Sequence, residues 1–276
     1  MPAFDSLYRE KAHLWAAIYA NRQTQLGATA TLINFGDQEN AGKVNATTFT
    51  GAKFSATGLS PVWTPSEALS AFDTPFLLVN PDNYQGLAPI LTMNGTDEEA
   101  DTPDAAFWSR AAGAFSVGAW VNLTDATSSA ILAKYTVAGD LREWVFWLNA
   151  ADKLQLILYD ENDAVTPNAS LDSVADTALT QGIWVFVVAT YDGTANASGI
   201  NLYQNGVLVA STDTDDVNFD SLRDTTALVE FGKANATSFF DGKMAGGALG
   251  PFFVQAALTV EQIYNMYSLE RLGMGV

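Results

Sequence analysis

The sequence predicts an all-β protein, two antiparallel sheets packed face to face as a sandwich, with an N-terminal helix and an extended arm ahead of it. Three observations carry that prediction. From residue 90 onward, short runs of β-branched and aromatic residues recur at near-regular spacing, separated by turn residues. Alternation is clear in Phe115, Val117, Ala119 and Val121, and again in Leu154, Leu156 and Leu158. Asn205-Gly206 lies between two extended apolar runs, and this pair tolerates the positive φ angles that close a tight hairpin.

In order, the chain divides into a helix over 1–27, an arm over 28–89 and the sandwich over 90–276. Asp5 or Ser6 caps a helix running to about Gln25, and Gly27 stops it. Leu7, Leu14, Trp15, Ile18 and Tyr19 fall close to the spacing of one apolar stripe. That stripe packs either on its own β domain or on another subunit, in which case these five are assembly contacts. His13 is the only histidine, so it cannot build a histidine metal site.

Thr29 to Phe35 and Thr47 to Phe54 read as strands, and Pro61, Pro65, Pro75, Pro81 and Pro89 follow. Proline removes a ladder donor and biases its predecessor to extended conformations, so this stretch is ordered coil or short edge strands. With Trp63, Phe72, Phe76 and Tyr84 it is too apolar for a free linker. It wraps either the following domain or neighbours in an assembly.

The sandwich strands are expected at Ile90–Met93, Phe115–Leu123, Ala130–Tyr135, Glu143–Leu148, Leu154–Tyr159, Trp184–Tyr191, Gly199–Gln204, Val207–Thr212, Ala227–Gly232 and Gly247–Gln255. Thr259, with Glu261 and Gln262 behind it, caps a last helix.

Composition narrows the function classes. Of 276 residues, 48% are hydrophobic and 16% charged, ample for a core. Net charge is −18, with a balance of −2 over residues 1–89 and −16 over the rest. So acidic a domain repels phosphate backbones, which argues against nucleic-acid binding. There is no cysteine, hence no disulfide or cysteine zinc site. No run of about 18 apolar residues exists for membrane insertion, and residues 1–10 lack the pattern of a signal peptide.

Trp184 to Gly193, followed by Leu202 to Ala210 with its Asn-Gly turn, resembles the laminin-G-like, concanavalin A-like jelly-roll family. Leu91 to Gly95 with Pro103-Asp104 is similar to the family's opening strand and turn, and Phe115 to Val121 to its next strand. Phe240 to Met244 with Leu258 to Ile263 is similar to its closing strand and short C-terminal helix. The likeness covers about residues 90–275. It implies a jelly-roll sandwich and, most readily, glycan binding.

Relatives of this fold include glycoside hydrolases with alternating carboxylates on one strand. No such spacing occurs here. Asp213-Thr214-Asp215-Asp216 comes nearest, in what reads as a polar loop. No nucleophile elbow or phosphate loop is present, so the expectation is a non-enzyme. Asp97, Glu98, Asp101 and Asp104 form an acidic run of oxygen ligands suited to calcium, and Asp241 is a further candidate. The family's calcium carboxylate after the closing Gly-Lys pair is absent from Gly242 to Gly247, so no cofactor is required.

Sugar sites join an aromatic platform to a few placed polar groups. Trp144, Trp147 and Tyr159 are the candidates, and alternation sends Trp144 and Trp147 to opposite faces, so only one of them can be a platform.

Together these readings point to a non-enzymatic adhesion or structural protein on a phage-type virion surface, made in a bacterial cytoplasm. Its partners would be other virion proteins, copies of itself and a cell-surface glycan. A free carbohydrate-binding module, calcium-assisted or not, is the first alternative, and a glycoside hydrolase with an unfamiliar acid pair the second.

Overall fold

The computed structural model describes residues 90–160, 169–235, 237–246 and 249–276, with 17–18, 20–22, 24–26, 30–32, 48–50 and 53–54. The β-branched and aromatic runs become strands that pair antiparallel throughout, because each is joined to its neighbour by a turn or returns across the sandwich. Among the described residues one sheet has nine strands. Its ordered path is Val207–Leu208, Ile200–Gln204, Val185–Tyr191, Phe115–Asp125, Asp241–Ala245, Ile90–Asn94 and Lys53–Phe54. Phe252–Val254 pairs Phe115–Asp125 beside Asp241–Ala245, and Ala30–Leu32 pairs Phe252–Val254. The other sheet has eight, ordered Ser211–Asp215, Ala169–Ala178, Lys153–Asp160, Leu141–Leu148, Ala130–Thr136, Val229–Phe231, Glu99–Thr102 and Thr48–Thr50.

The two sheets close on one core. Phe115, Val117, Ala119 and Val121 from the nine-stranded sheet face Trp144, Phe146, Leu154, Leu156 and Leu158 from the eight-stranded one, all fully buried. Phe253 stacks between Phe115 and Trp144, with ring centroids 5.2 and 5.4 Å away. Lys134 also points inward at the end of this core. Its ammonium pairs with Glu143 and, at 3.1 Å, with Asp104, and the Glu143 carboxylate accepts from Thr225 N (2.6 Å) and Ser109 Oγ (3.1 Å). A buried charge is tolerated only with such partners, and this one pins the loop through Thr225 to the sandwich.

The nine-stranded sheet is apolar on its outer side too. Trp120, Phe186, Val188, Tyr203 and Phe252 form a second buried cluster there, under the helix Val260–Met274 and the helical residues 17–18, 20–22 and 24–26. Thr259 caps the C-terminal helix through a capping box with Gln262, as its sequence predicts, and Gly275 ends it in the left-handed conformation. Ile18 and Leu26 are buried in this cluster, so Ile18 is spent on its own domain instead of being free for another subunit. Leu7, Leu14, Trp15 and Tyr19 lie outside the described residues. Arg22 is fully buried between the helices: its Nε lies 3.6 Å from Glu270, its Nη2 donates to Gly250 O at 2.6 Å, and its guanidinium lies over the Phe252 ring. Glu270 in turn accepts from the Trp120 indole at 2.7 Å. Burial pushes the Glu270 carboxyl up, and Arg22 and Trp120 pull it back.

The strands expected from residue 90 onward form, with informative shifts. Of Gly247–Gln255 only Phe252–Val254 is a strand. Of Thr29–Phe35 and Thr47–Phe54 the described residues form Ala30–Leu32, Thr48–Thr50 and Lys53–Phe54, the rest lying outside the described residues. The span 207–212 breaks in two. Val207–Leu208 closes the hairpin, with Asn205 at φ 50° and Gly206 at φ 77°, whereas Ser211–Asp215 crosses to the edge of the other sheet. The acids 213 and 215 therefore lie on a strand, not in a loop. Charged edge residues of this kind discourage further strand addition. Ala169–Ala178 and Glu99–Thr102 are strands beyond those expected.

Two substitutions test this packing. A Cβ on Gly118 would lie 2.6 Å from the Phe252 ring and 2.8 Å from the Val187 carbonyl, so Gly118→Ala should destabilise by about 1–3 kcal/mol in urea unfolding. Glu270→Gln leaves the Arg22 charge buried without its counter-ion and should cost roughly 3–5 kcal/mol. Unchanged midpoints in both would refute the packing described for this face.

Candidate functional site

Strand alternation places a different set of side chains on the outer face of the eight-stranded sheet. Opposite the inward Leu154, Leu156 and Leu158 stand Gln155, Ile157 and Tyr159; opposite the inward Trp144 and Phe146 stand Val145 and Trp147. The register sets Trp147 against Gln155, and Val145 against Ile157. Tyr135 and Arg142 are also cross-strand partners, just after a bulge that turns the Leu141–Leu148 strand at Glu143.

The result is a strip of aromatic and polar groups. The Tyr135 and Tyr159 rings lie 5.3 Å apart, and the Arg142 guanidinium sits 5.3 Å from the Tyr159 centroid. Burial, the neighbouring Tyr135 and their hydrogen bond push the Tyr159 phenol well above its ordinary value, so it stays neutral. Gln155 Nε2 donates to both oxygens of Asp172, at 2.8 and 2.9 Å. Burial raises the Asp172 carboxyl, the Gln155 bonds lower it, and nearby Asp213 raises it further. Trp147, Tyr135, Tyr159 and Ile157 are only partly buried over a small floor of Ala130, Ala133, Val145 and Ala234.

This face brings together two of the three sequence candidates for a sugar platform. Trp147 and Tyr159 share it, whereas Trp144 is fully buried in the core, its indole donating towards the Trp108 carbonyl at 3.4 Å. Arg142, Tyr135, Gln155 and Asp172 were not expected at a site. Tyr135 and Gln155 were readable as positions on predicted strands. Arg142 was not, because it precedes the expected strand Glu143–Leu148 and a bulge at Glu143 resets the alternation. Nor was Asp172, because its own strand was not predicted.

The acidic run is not gathered. Glu99–Thr102 is extended, so Ala100 and Thr102 are buried while Glu99 and Asp101 stand on the opposite face. Glu98 is buried, Asp97 accepts from Asn94 Nδ2 at 2.9 Å and Asp104 pairs with Lys134. Asp241 packs against Gly95, where a Cβ would come within 2.7 Å of it. Among the described residues no three His, Asp or Glu side chains are grouped to hold a metal ion.

Asp101 and Glu230 are instead register partners beside a lysine. Lys233 Nζ bridges Glu99 (2.6 Å) and Glu230 (3.2 Å), tying the start of the Lys233–Phe239 hairpin to the sheet. Burial, and to a lesser degree Glu99, pushes the Glu230 carboxyl up to about 7 against the pull of Lys233. A separate open depression of about 520 Å³ lies on the nine-stranded sheet, lined by Asn122, Leu123, Thr124, Gln181, Gly182 and Lys243, and offers no aromatic ring. Among the described residues no helix is long and apolar enough to cross a membrane.

A model of the concanavalin A-like lectin/glucanases superfamily matches residues 94–263. No curated protein matches the chain in sequence. Among solved structures, the chain is similar to the botulinum neurotoxin serotype D binding domain, with TM-score 0.51 and 15% identity over 91% of this chain and 53% of that one. It is also similar to a structure reported for botulinum neurotoxin type C and its interaction with two ganglioside molecules, with TM-score 0.50 and 11% identity over 87% and 51%. Domain 4 of an extracellular arabinanase from Geobacillus stearothermophilus, in complex with arabinotriose, aligns at TM-score 0.41 and 17% identity over 65% and 76%. The chain spans about half the length of the toxin domains it matches. At these identities the likeness establishes the fold.

The electrostatics of this sheet set a pH dependence. A free glutamate titrates near 4.3, so between about 4.5 and about 7 the folded chain holds a proton at Glu230 that the unfolded chain has lost. Stability should therefore fall as pH rises through that window and level off above it. Asp101, Glu143, Asp172 and Glu270 are also raised by burial and act with the same sign. Urea unfolding at pH 5 and pH 8 should show the decline, and Glu230→Gln should shrink it by up to about 3 kcal/mol. A wild type more stable at pH 8 would contradict this.

Proposed function

The chain belongs to the concanavalin A-like lectin/glucanases superfamily, and on that premise we propose that it is a non-catalytic glycan-binding protein whose ligand lies on the outer face of the eight-stranded sheet. The observation that carries the reading is the placing of Trp147, Tyr159 and Tyr135 on one open face with Arg142, Gln155 and Asp172 among them. Partly exposed rings accept the apolar face of a pyranose, and the polar groups between them fix its hydroxyls. The Lys134–Glu143 pair does not favour catalysis as an alternative: it lies inside the sandwich and is occupied by Thr225, Ser109 and Asp104.

The wider setting we propose is the surface of a phage-type particle, where residues 1–89 mediate assembly and the sandwich binds a cell-surface glycan. What supports it is a cysteine-free, acidic chain with an apolar, proline-punctuated stretch before the sandwich. The described N-terminal helical residues pack on the nine-stranded sheet, away from the aromatic face, so attachment from that side leaves the ligand face clear.

The test is titration of the full chain with a panel of soluble oligosaccharides. At least one should bind with millimolar or tighter affinity, and Trp147→Ala and Tyr159→Ala should each weaken it by about tenfold or more without changing the circular dichroism. No binding across the panel, or binding indifferent to both substitutions, would overturn the proposal.

A further inference from the structure

We propose that Lys134 and Asp104 condense to an internal amide, a covalent tie between side chains, with Glu143 carrying the protons; this stands independently of the glycan reading. The three groups meet inside the sandwich. The side chains of Lys134 and Glu143 are fully buried, and the Lys134 ammonium donates to Glu143 and to the Thr225 carbonyl. Nζ also lies 3.1 Å from Asp104 Oδ1. That approach is a charge contact and not a hydrogen bond, because among the described residues Asp104 Oδ1 has no hydrogen-bond partner. Glu143 Oε2 likewise has none, while Oε1 accepts from Thr225 N, Thr225 Oγ1 and Ser109 Oγ. One buried site thus joins an amine nitrogen, a carboxyl carbon and a second carboxyl with a spare oxygen. The carbon is one bond, about 1.2 Å, from the oxygen that Nζ touches.

The site favours an amide over a permanent ion pair. Burial favours the uncharged form of each partner, and it raises the Glu143 carboxyl, which can therefore hold a proton in transit. Contact held by the fold replaces a bimolecular encounter, equivalent to an effective concentration of up to roughly 10⁵–10⁸ M. The Asp104 side chain is 28% exposed, which leaves it room to rotate onto Nζ and gives the expelled water a way out. Glu143 takes one proton from the Lys134 ammonium and passes it to the Asp104 carboxylate, leaving an amine beside a carboxylic acid. The Nζ lone pair then attacks Asp104 Cγ and forms the carbon–nitrogen bond. A second proton leaves Nζ, by way of Glu143, and joins the Asp104 hydroxyl as the carbon–oxygen bond breaks. One water departs, Glu143 is restored, and nothing is oxidised or reduced. The bond forms once per chain, without turnover of an outside substrate. It joins the loop after Glu99–Thr102 to Ala130–Thr136, across the intervening strand Val229–Phe231. In a chain without cysteine, it supplies the kind of cross-link that a disulfide supplies elsewhere.

Mass spectrometry of the purified, denatured full chain tests this. The intact mass should fall short of the sequence by one water. Trypsin should release residues 54–110 joined to residues 111–142, because it does not cut after an acylated lysine. Asp104→Ala and Glu143→Gln should each restore the missing water and remove the branched peptide. Should either variant fail to fold, the joined peptide of the wild type carries the proposal by itself. A wild-type chain at full mass would overturn it, as would a missing water that maps to a ring-closed Asp192-Gly193 or Asp241-Gly242. A branched peptide as abundant in folded Glu143→Gln as in the wild type would overturn the step assigned to Glu143.

Discussion

A sheet that is apolar on both faces must be covered on both, and this requirement decides where the described helices lie. The strand Phe115–Asp125 is the clearest case, buried through its first seven residues in succession. Its odd-numbered side chains, Phe115 to Val121, fill the core between the sheets, while Trp120 on the other side lies under the helices. Gly118, between these, leaves the space that the Phe252 ring occupies. Burying this second face removes large aromatic area from water, the main favourable contribution to such packing. It also drags polar groups inside. Arg22 forms an ion pair with Glu270, and Glu270 accepts from the Trp120 indole, which ties both helices to the sheet.

Among the described residues no helix covers the outer side of the eight-stranded sheet, where the apolar cluster is small. That side divides in two. Near Glu99–Thr102, carboxylates gather around Lys233, and at the Leu141–Leu148 and Lys153–Asp160 strands rings and amides gather around Trp147. Between them Ala234, on the Lys233–Phe239 hairpin, joins the floor beneath the aromatic strip. The raised carboxyl of Glu230 follows from holding several acids at a partly dry surface with a single ammonium to share. The two halves of this face therefore differ: one carries carboxylates that share an ammonium, the other partly buried rings and amides.

The legible parts of the fold were those in which side-chain size reports the period. Phe115 to Val121 and Leu154 to Leu158 announce their strands, Asn205-Gly206 announces the hairpin, and Thr259 with Gln262 announces the last helix. Ala169–Ala178 escaped because three of its four inward positions, Ala169, Ser173 and Ala175, are too small to stand out, which leaves Leu171 alone. Glu99–Thr102 looked like a cation loop because four neighbouring acids dominate the pattern, although Ala100 and Thr102 keep a strand's alternation. The site was half legible for the same reason. Alternation separates Trp144 from Trp147, but no local signal says which belongs in the core; that depends on the inward leucines of the next strand, in register with them. Asp172 comes from a strand that the sequence conceals, and with it the orientation of Gln155.

The central claim is that ligand and open face coincide. Chemical-shift mapping of the labelled full chain, with the tightest-binding oligosaccharide added stepwise, tests it most directly. The account predicts that the Trp147 indole N–H, the Gln155 side-chain amide and the amides of Tyr135, Arg142 and Tyr159 shift together with one affinity, while the Trp120 indole, buried beneath the helices, stays in place. Shifts confined to the helix Val260–Met274, or to the depression beside Asn122 and Lys243, would contradict it.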